Sequence, residues 1–100
     1  MVKHIVFWKL RESAEGRDKA ANARLVKERL EALAGRIPGL LRIEVGFDFL
    51  QGETSNDLAL YSELASREAL DAYQAHPEHQ AVIPLIRALT SERRSVDYEV

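Results

Sequence analysis

The sequence contains no cysteine, and this one absence excludes a disulfide scaffold, thiol redox chemistry and thiolate metal sites together. It also lacks an excess of charge: 14 basic and 16 acidic residues are interspersed over 100 positions and leave a formal net charge of -2. The electrostatic footprint of a nucleic-acid binder is therefore missing. No stretch approaches the roughly 20 apolar residues of a membrane helix, and Met1-Val2-Lys3-His4 leads directly into a strand-like run with no signal-peptide pattern. The expectation is a soluble cytoplasmic protein with neither a nucleic-acid nor a membrane partner. Histidine is scarce as well. The three present, His4, His76 and His79, must carry most acid–base or metal chemistry near neutral pH.

What is there reads as one domain, residues 1–100, long enough to bury roughly two-thirds of the surface of its unfolded chain. Residues 2–10 are β-branched and aromatic with two partly apolar faces, Val2, His4, Val6, Trp8 and Leu10 against Lys3, Ile5, Phe7 and Lys9, as in an inner strand. From Ser13, a plausible N-cap, to Arg36 the spacing turns helical through Ala23, Val26, Leu30, Leu33 and Ile37. Gly35 suits the left-handed residue that ends such a helix, and Pro38-Gly39 prevents its resumption. Residues 40–49 alternate, with Leu41, Ile43, Val45, Phe47 and Phe49 on one side. The polar turn Gln51–Asn56 follows, and a second alternating strand runs from Asp57 to Leu64, so the two form a hairpin. Ser66 caps a short helix through Tyr73. The His76-Pro77 step breaks it, because a residue before proline is pushed out of the helical region. Pro77 suits the first turn of a further helix with Val82, Ile83, Ile86 and Leu89 as its apolar stripe and a kink at Pro84. Ser95 to Val100 closes as a strand with Val96, Tyr98 and Val100 on one side.

The order β-α-β-β-α(α)-β predicts an α+β, ferredoxin-like subunit: a four-stranded antiparallel sheet with its helices on one face. The other face, carrying Ile5 and Phe7, is then uncovered, which predicts a two-fold homodimer formed through the sheet faces.

Four segments in order, Val2-Lys3-His4-Ile5-Val6, Ile37-Pro38-Gly39 with Glu44-Val45-Gly46, His76-Pro77-Glu78-His79 and Val96-Asp97-Tyr98-Glu99, resemble the stress-responsive A/B barrel (Dabb) family over nearly the whole chain. The resemblance implies a subunit that pairs through its sheets into a dimeric α+β barrel. One branch of that family, the plant polyketide cyclases that close olivetolic acid, performs a cofactor-free intramolecular aldol condensation. This sequence is similar to that branch at His4, Tyr73 and His79. It departs in the third strand, where a further pocket histidine of the cyclases is replaced by Leu58.

His79 lies three and four residues before Val82 and Ile83, so on a helix it faces the apolar stripe. A buried imidazole tends to stay neutral and able to accept a proton. The catalytic expectation is that His79 acts as general base on a carbon next to a carbonyl, while His4 or Tyr73 donates a hydrogen bond to the oxygen where charge develops, with no cofactor. Trp8, Leu58 and Ile83 would line a mainly apolar pocket for a small apolar or carbonyl-containing ligand. The plain alternatives are that His79 is a satisfied polar group near a helix end, that His4 bonds a neighbouring carbonyl, and that Tyr73 is a core aromatic with its hydroxyl at the rim. On this reading Trp8 is core filling, His76 caps the break, and Asp97 and Glu99 lie at the dimer face or in solvent. Two other classes stay open. His76, His79 and His4 are enough ligands for an open zinc site, and His79 is conceivable as a haem ligand, since related barrels handle haem. The remaining class is a noncatalytic dimeric module that binds a small molecule.

Overall fold

The computed structural model describes all of residues 1–100. Its main sheet contains β1 (Val2–Leu10), β4 (Leu40–Phe47), β5 (Leu58–Leu64) and β6 (Thr90–Glu99) in the order β4-β5-β1-β6, with every neighbouring pair antiparallel. Three helices, α1 (Lys19–Glu31), α2 (Arg67–Ala75) and α3 (Pro77–Leu89), accompany it, and a small hairpin of β2 (Ser13–Ala14) and β3 (Arg17–Asp18) precedes α1. This is the ferredoxin-like α+β arrangement expected from the sequence. The inner strand is inner: β1 lies between β5 and β6, and its alternate residues Val2, His4, Val6, Trp8 and Leu10 are all buried. Against them pack Val26 and Leu30 of α1, Tyr73 of α2, and Val82, Ile86 and Leu89 of α3, all in one apolar cluster.

The first helix is shorter than its apolar spacing predicts. Ser13 is not its cap. Residues 13–18 instead fold back on themselves, with Glu15 and Gly16 both at positive φ (52° and 76°) between the paired residues Ala14 and Arg17. Two central residues of this kind make the two-residue hairpin turn whose twist suits antiparallel strands, and glycine takes one of them without steric cost. The cap passes to Asp18, whose carboxylate accepts from the Ala21 N–H at 2.8 Å. Asn22, fully buried in α1, ties the hairpin down: its amide donates to the carbonyls of Ala14 and Arg17, and its oxygen accepts from Arg17 Nε at 2.8 Å. At the other end α1 stops at Glu31, and Gly35, at φ 76°, lies in the turn that follows.

Two strands also differ from expectation. In β4 the register shifts between Leu40 and Arg42, so Leu40 is buried while Leu41 is left exposed in the irregularity. Ile43 and Val45 keep the inward face, but Phe47 is exposed at the strand end and Phe49 lies beyond it, 94% exposed. The last strand begins at Thr90, directly after α3, rather than at Ser95. The expected helix break is present. His76 is extended (φ -65°, ψ 135°), and its Nδ1 accepts from the Glu78 N–H at 3.1 Å, so this histidine caps α3 as Pro77 occupies the first turn. Pro84 sits inside α3, which continues to Leu89.

The opposite face of the sheet has no helix on it. Ile5 pairs in register with Tyr61 and Val96, and Phe7 pairs with Ala59 and Arg94, so these side chains share the uncovered face with Tyr98. Phe7, Val96 and Tyr98 are all exposed there. No helix is long and apolar enough to cross a membrane.

Candidate functional site

Between the inward face of β1 and β6 and the helices α2 and α3 lies a cavity of about 460 Å³, within the size range of small-molecule sites. Trp8, Leu30, Leu60, Ile83 and Ile86 supply its apolar wall; His4, Tyr73, Gln74 and His79 supply its polar groups; Arg87, Glu92 and Arg93 stand where it meets solvent. Of the residues expected from the sequence, His4, Trp8, Tyr73, His79 and Ile83 all line this cavity. Leu58 does not. It pairs with Trp8 in register and is 2% exposed, and it borders a shallower hollow beside Phe7 and Phe47 instead. Leu60 of the same strand lines the cavity, whereas Leu58 lies two residues further along β5, at the Phe47 end of the sheet and outside the cavity.

The three ring residues meet because two segments of the chain converge. The inward parity of β1 sends His4 toward the helices, and the extended His76-Pro77 step folds α3 back so that His79 reaches the end of α2, where Tyr73 sits. Tyr73 and His79 are in tilted ring contact at 4.4 Å between centroids. His4 meets Tyr73 edge-on at 6.1 Å. The phenol is therefore flanked by both imidazoles.

Each ring has a different electrostatic setting. Tyr73 is fully buried, and its hydroxyl is sealed from solvent with no hydrogen-bond partner. Burial pushes its pKa up to about 12, so the phenol keeps its proton throughout the neutral range. His79 is half-buried, and its Nδ1–H donates to the Gln74 carbonyl at 3.2 Å, which leaves Nε2 with a free lone pair. Burial lowers its pKa below the ordinary 6.5; the Gln74 bond opposes this, and the charges at His4, Arg93 and His76 add to the depression. His4, 3% exposed, donates from Nδ1 to the carboxylate of Asp97. Its own backbone carbonyl accepts from the buried Ser62 hydroxyl at 2.8 Å.

Asp97, expected at the dimer face or in solvent, has a side chain 40% exposed, but on the helix side of the sheet, where its carboxylate fixes the His4 ring. It pairs with His4 in the β1–β6 register, so both side chains leave the sheet on the helix side. Glu99, by contrast, is at the surface, ion-paired with Arg67 at 2.7 Å. The Tyr73 hydroxyl is interior rather than at a rim. The alternation in the final strand held the signal for Asp97: if Val96 and Tyr98 face one way, Asp97 must face the other. Arg87 and Arg93 carried no such signal, because nothing in a charged surface stretch distinguishes a residue beside a cavity from one in open solvent. No three histidine and acidic residues gather in an arrangement able to hold a metal ion, and His76 is engaged in capping α3.

The fold has known counterparts. Residues 2–100 match the model of the stress responsive A/B barrel domain. A curated, uncharacterized protein from Streptomyces coelicolor is 33% identical over 87 residues, covering 87% of this chain and 88% of its own length. A crystal structure from Bacteroides fragilis, described as a dimeric protein of unknown function with a ferredoxin-like fold, is 37% identical with a TM-score of 0.86, over 99% of this chain and 95% of that one. The hydroxynitrile lyase of Passiflora edulis superposes with a TM-score of 0.82 over 99% of this chain and 92% of the lyase; at 14% identity the likeness is one of fold.

Proposed function

This chain belongs to the stress responsive A/B barrel domain family, and from that premise we propose that it is a homodimer whose subunits each bind a small, mainly apolar carbonyl compound in the cavity and catalyse cofactor-free acid–base chemistry on it. The observation that carries this reading is the unpartnered hydroxyl of Tyr73, whose ring is flanked by His4 and His79. A buried hydroxyl left without a partner costs about 1–3 kcal/mol; because the hydroxyl is sealed, the Tyr73 ring has to turn toward the cavity before a ligand oxygen accepts its hydrogen bond and removes that cost.

In the proposed reaction His79 Nε2 takes a proton from a carbon next to a carbonyl. The electron pair of the broken C–H bond moves to the carbonyl oxygen, where Tyr73 donates a hydrogen bond to the developing enolate, or His4 does so from Nε2 when its ring is the imidazolium paired with Asp97. The enolate carbon then attacks a second carbonyl of the same molecule, a C–C bond forms, and the proton returns from His79 to the new alkoxide. The depressed pKa of His79 supports the base role, since the ring is neutral at pH 7. A second assignment exchanges the histidines: Asp97 orients His4 as a carboxylate orients the base of a hydrolytic triad. A noncatalytic module is the remaining alternative, in which the same groups only hold the ligand.

Dimerisation is proposed through the uncovered face bearing Ile5, Phe7 and Val96, in keeping with the dimeric state described for the Bacteroides fragilis relative. Native mass spectrometry of freshly purified protein tests the assembly and the ligand together, with two copies and a retained organic mass expected. Turnover of a diketide or longer polyketide substrate should fall at least ~100-fold in His79→Ala, the usual contribution of a positioned base. Unchanged turnover in that variant, with loss in His4→Ala, would transfer the base role to His4. Ligand retention without product in the unmodified protein would make the chain a binding module, and a bare monomer would remove the sheet-face dimer.

A further inference from the structure

We propose that the ligand of this cavity carries an anionic group, a carboxylate on an apolar ring-sized body, and that Arg87 and Arg93 hold that group at the mouth; the inference rests on the small-molecule reading of the cavity. Arg87 lies one turn of α3 beyond Ile83, which lines the cavity wall, and Arg93 stands on β6 in register with Trp8 of β1. Both border the cavity, arriving from a helix and from a strand on its two sides.

Arg87 and Arg93 lack a counter-charge, as do Arg11, Arg17, Arg24, Arg29 and Arg94, and of this set they are the two that border the cavity. Arg36, Arg42 and Arg67 are each paired with a glutamate within 3.2 Å, whereas neither Arg87 nor Arg93 has a carboxylate within ion-pairing distance. Arg93 makes only a long contact of 3.4 Å to Ser95 Oγ. The one acidic residue on the cavity lining, Glu92, is turned to Lys9 at 3.9 Å. The nearby Asp97 is committed to His4. The mouth thus presents two unneutralised cations above a wall of Trp8, Leu60 and Ile86, and a planar guanidinium matches a carboxylate through two parallel hydrogen bonds. The same positive charge of Arg93 is felt within the cavity, where it disfavours protonation of His79. A ligand with its apolar body inside and its carboxylate outward satisfies both ends of the cavity at once.

Isothermal titration with 2-naphthoate and its neutral counterpart 2-naphthamide tests this on the full chain, alongside Arg87→Gln, Arg93→Gln and the double variant. Naphthoate should bind at least ~10-fold more tightly than naphthamide, about 1.4 kcal/mol. The double variant should bring naphthoate to the level of the amide while leaving the amide's affinity unchanged. Equal affinity for the two probes would overturn the anionic ligand and leave the cavity reading standing. A naphthoate preference that survives in the double variant would overturn the assignment to these arginines. Binding of neither probe would overturn both this inference and the reading on which it rests.

Discussion

Tyr73 and His79 touch, yet their proton equilibria move in opposite directions for one reason: burial disfavours the charged form of each, phenolate in one case and imidazolium in the other. The consequences for stability have opposite signs. For Tyr73 the folded pKa is raised, so its contribution is fully present below the unfolded value of 10.0 and is lost as pH rises through about 12. For His79 the folded pKa is depressed, so its contribution is present above 6.5 and is lost as pH falls through the lower folded value. Unfolding followed by circular dichroism across pH should therefore show Tyr73→Phe losing the alkaline limb and His79→Gln flattening the acid one. At pH 7 Tyr73→Phe should be as stable as the parent or ~1 kcal/mol more stable, since the removed hydroxyl satisfies nothing; clear destabilisation would mean that the hydroxyl has a partner within the fold. The residues of this site were legible unevenly. His4, Tyr73 and His79 could be found because rare titratable side chains occurred on apolar faces. Asp97 required the β6 register, and Leu58 was misplaced because inward parity establishes only that a side chain is buried, not which part of the interior it reaches.

Elements with a sustained period were the ones the sequence described well. Leu58, Leu60, Ser62 and Leu64 alternate without fault, and all four are buried in β5. The failures were places where a local device interrupts the period. The β2–β3 hairpin has strands of two residues, too short for any period to register, and it displaced the expected helix cap by five positions, from Ser13 to Asp18. In β4 the shift at Leu41 turns Leu40 to the core and Leu41 outward, while Ile43 and Val45 keep their expected side. The early part of β6, Ser91-Glu92-Arg93-Arg94, shows no apolar alternation, because one side faces the cavity mouth and the other the uncovered sheet face. Gly39 is another such device. It has φ 85°, and a Cβ there would lie 2.7 Å from the Cβ of Ala69, which brings the start of β4 against α2. Gly39→Ala should cost about 2–4 kcal/mol, combining left-handed strain with overpacking. Gly39→Ala/Ala69→Gly should recover only the overpacking part, measured by chemical denaturation. A single variant as stable as the parent would show that α2 can move away without cost.

At the scale of the molecule the two rims of the sheet are unlike. β4 lies at one rim, and its Val45 is held there by α1: the N–H donates to Glu31 at 2.9 Å, and the carbonyl accepts from Lys27 at 2.6 Å. Lys27 and Glu31 also pair with each other at 2.7 Å, and the hydrogen bond from Lys27 and that from Val45 hold the Glu31 carboxyl below its usual range. At the other rim β6 bonds only to β1, and its outer edge is open. Lys27→Ala/Glu31→Ala would free the Val45 backbone groups, and an unblocked rim invites pairing with another chain. Light scattering should then show the double variant growing with concentration while the parent keeps one size; a variant that also keeps one size would mean that α1 shields the rim by bulk alone. The asymmetry has a consequence for how copies of this chain can add to one another by strand pairing. A fibre needs two open rims per subunit, one to receive and one to offer, whereas this sheet has one. A copy joining at β6 would present its own β6, each strand would consume the other's vacancy, and the addition would stop after a single step.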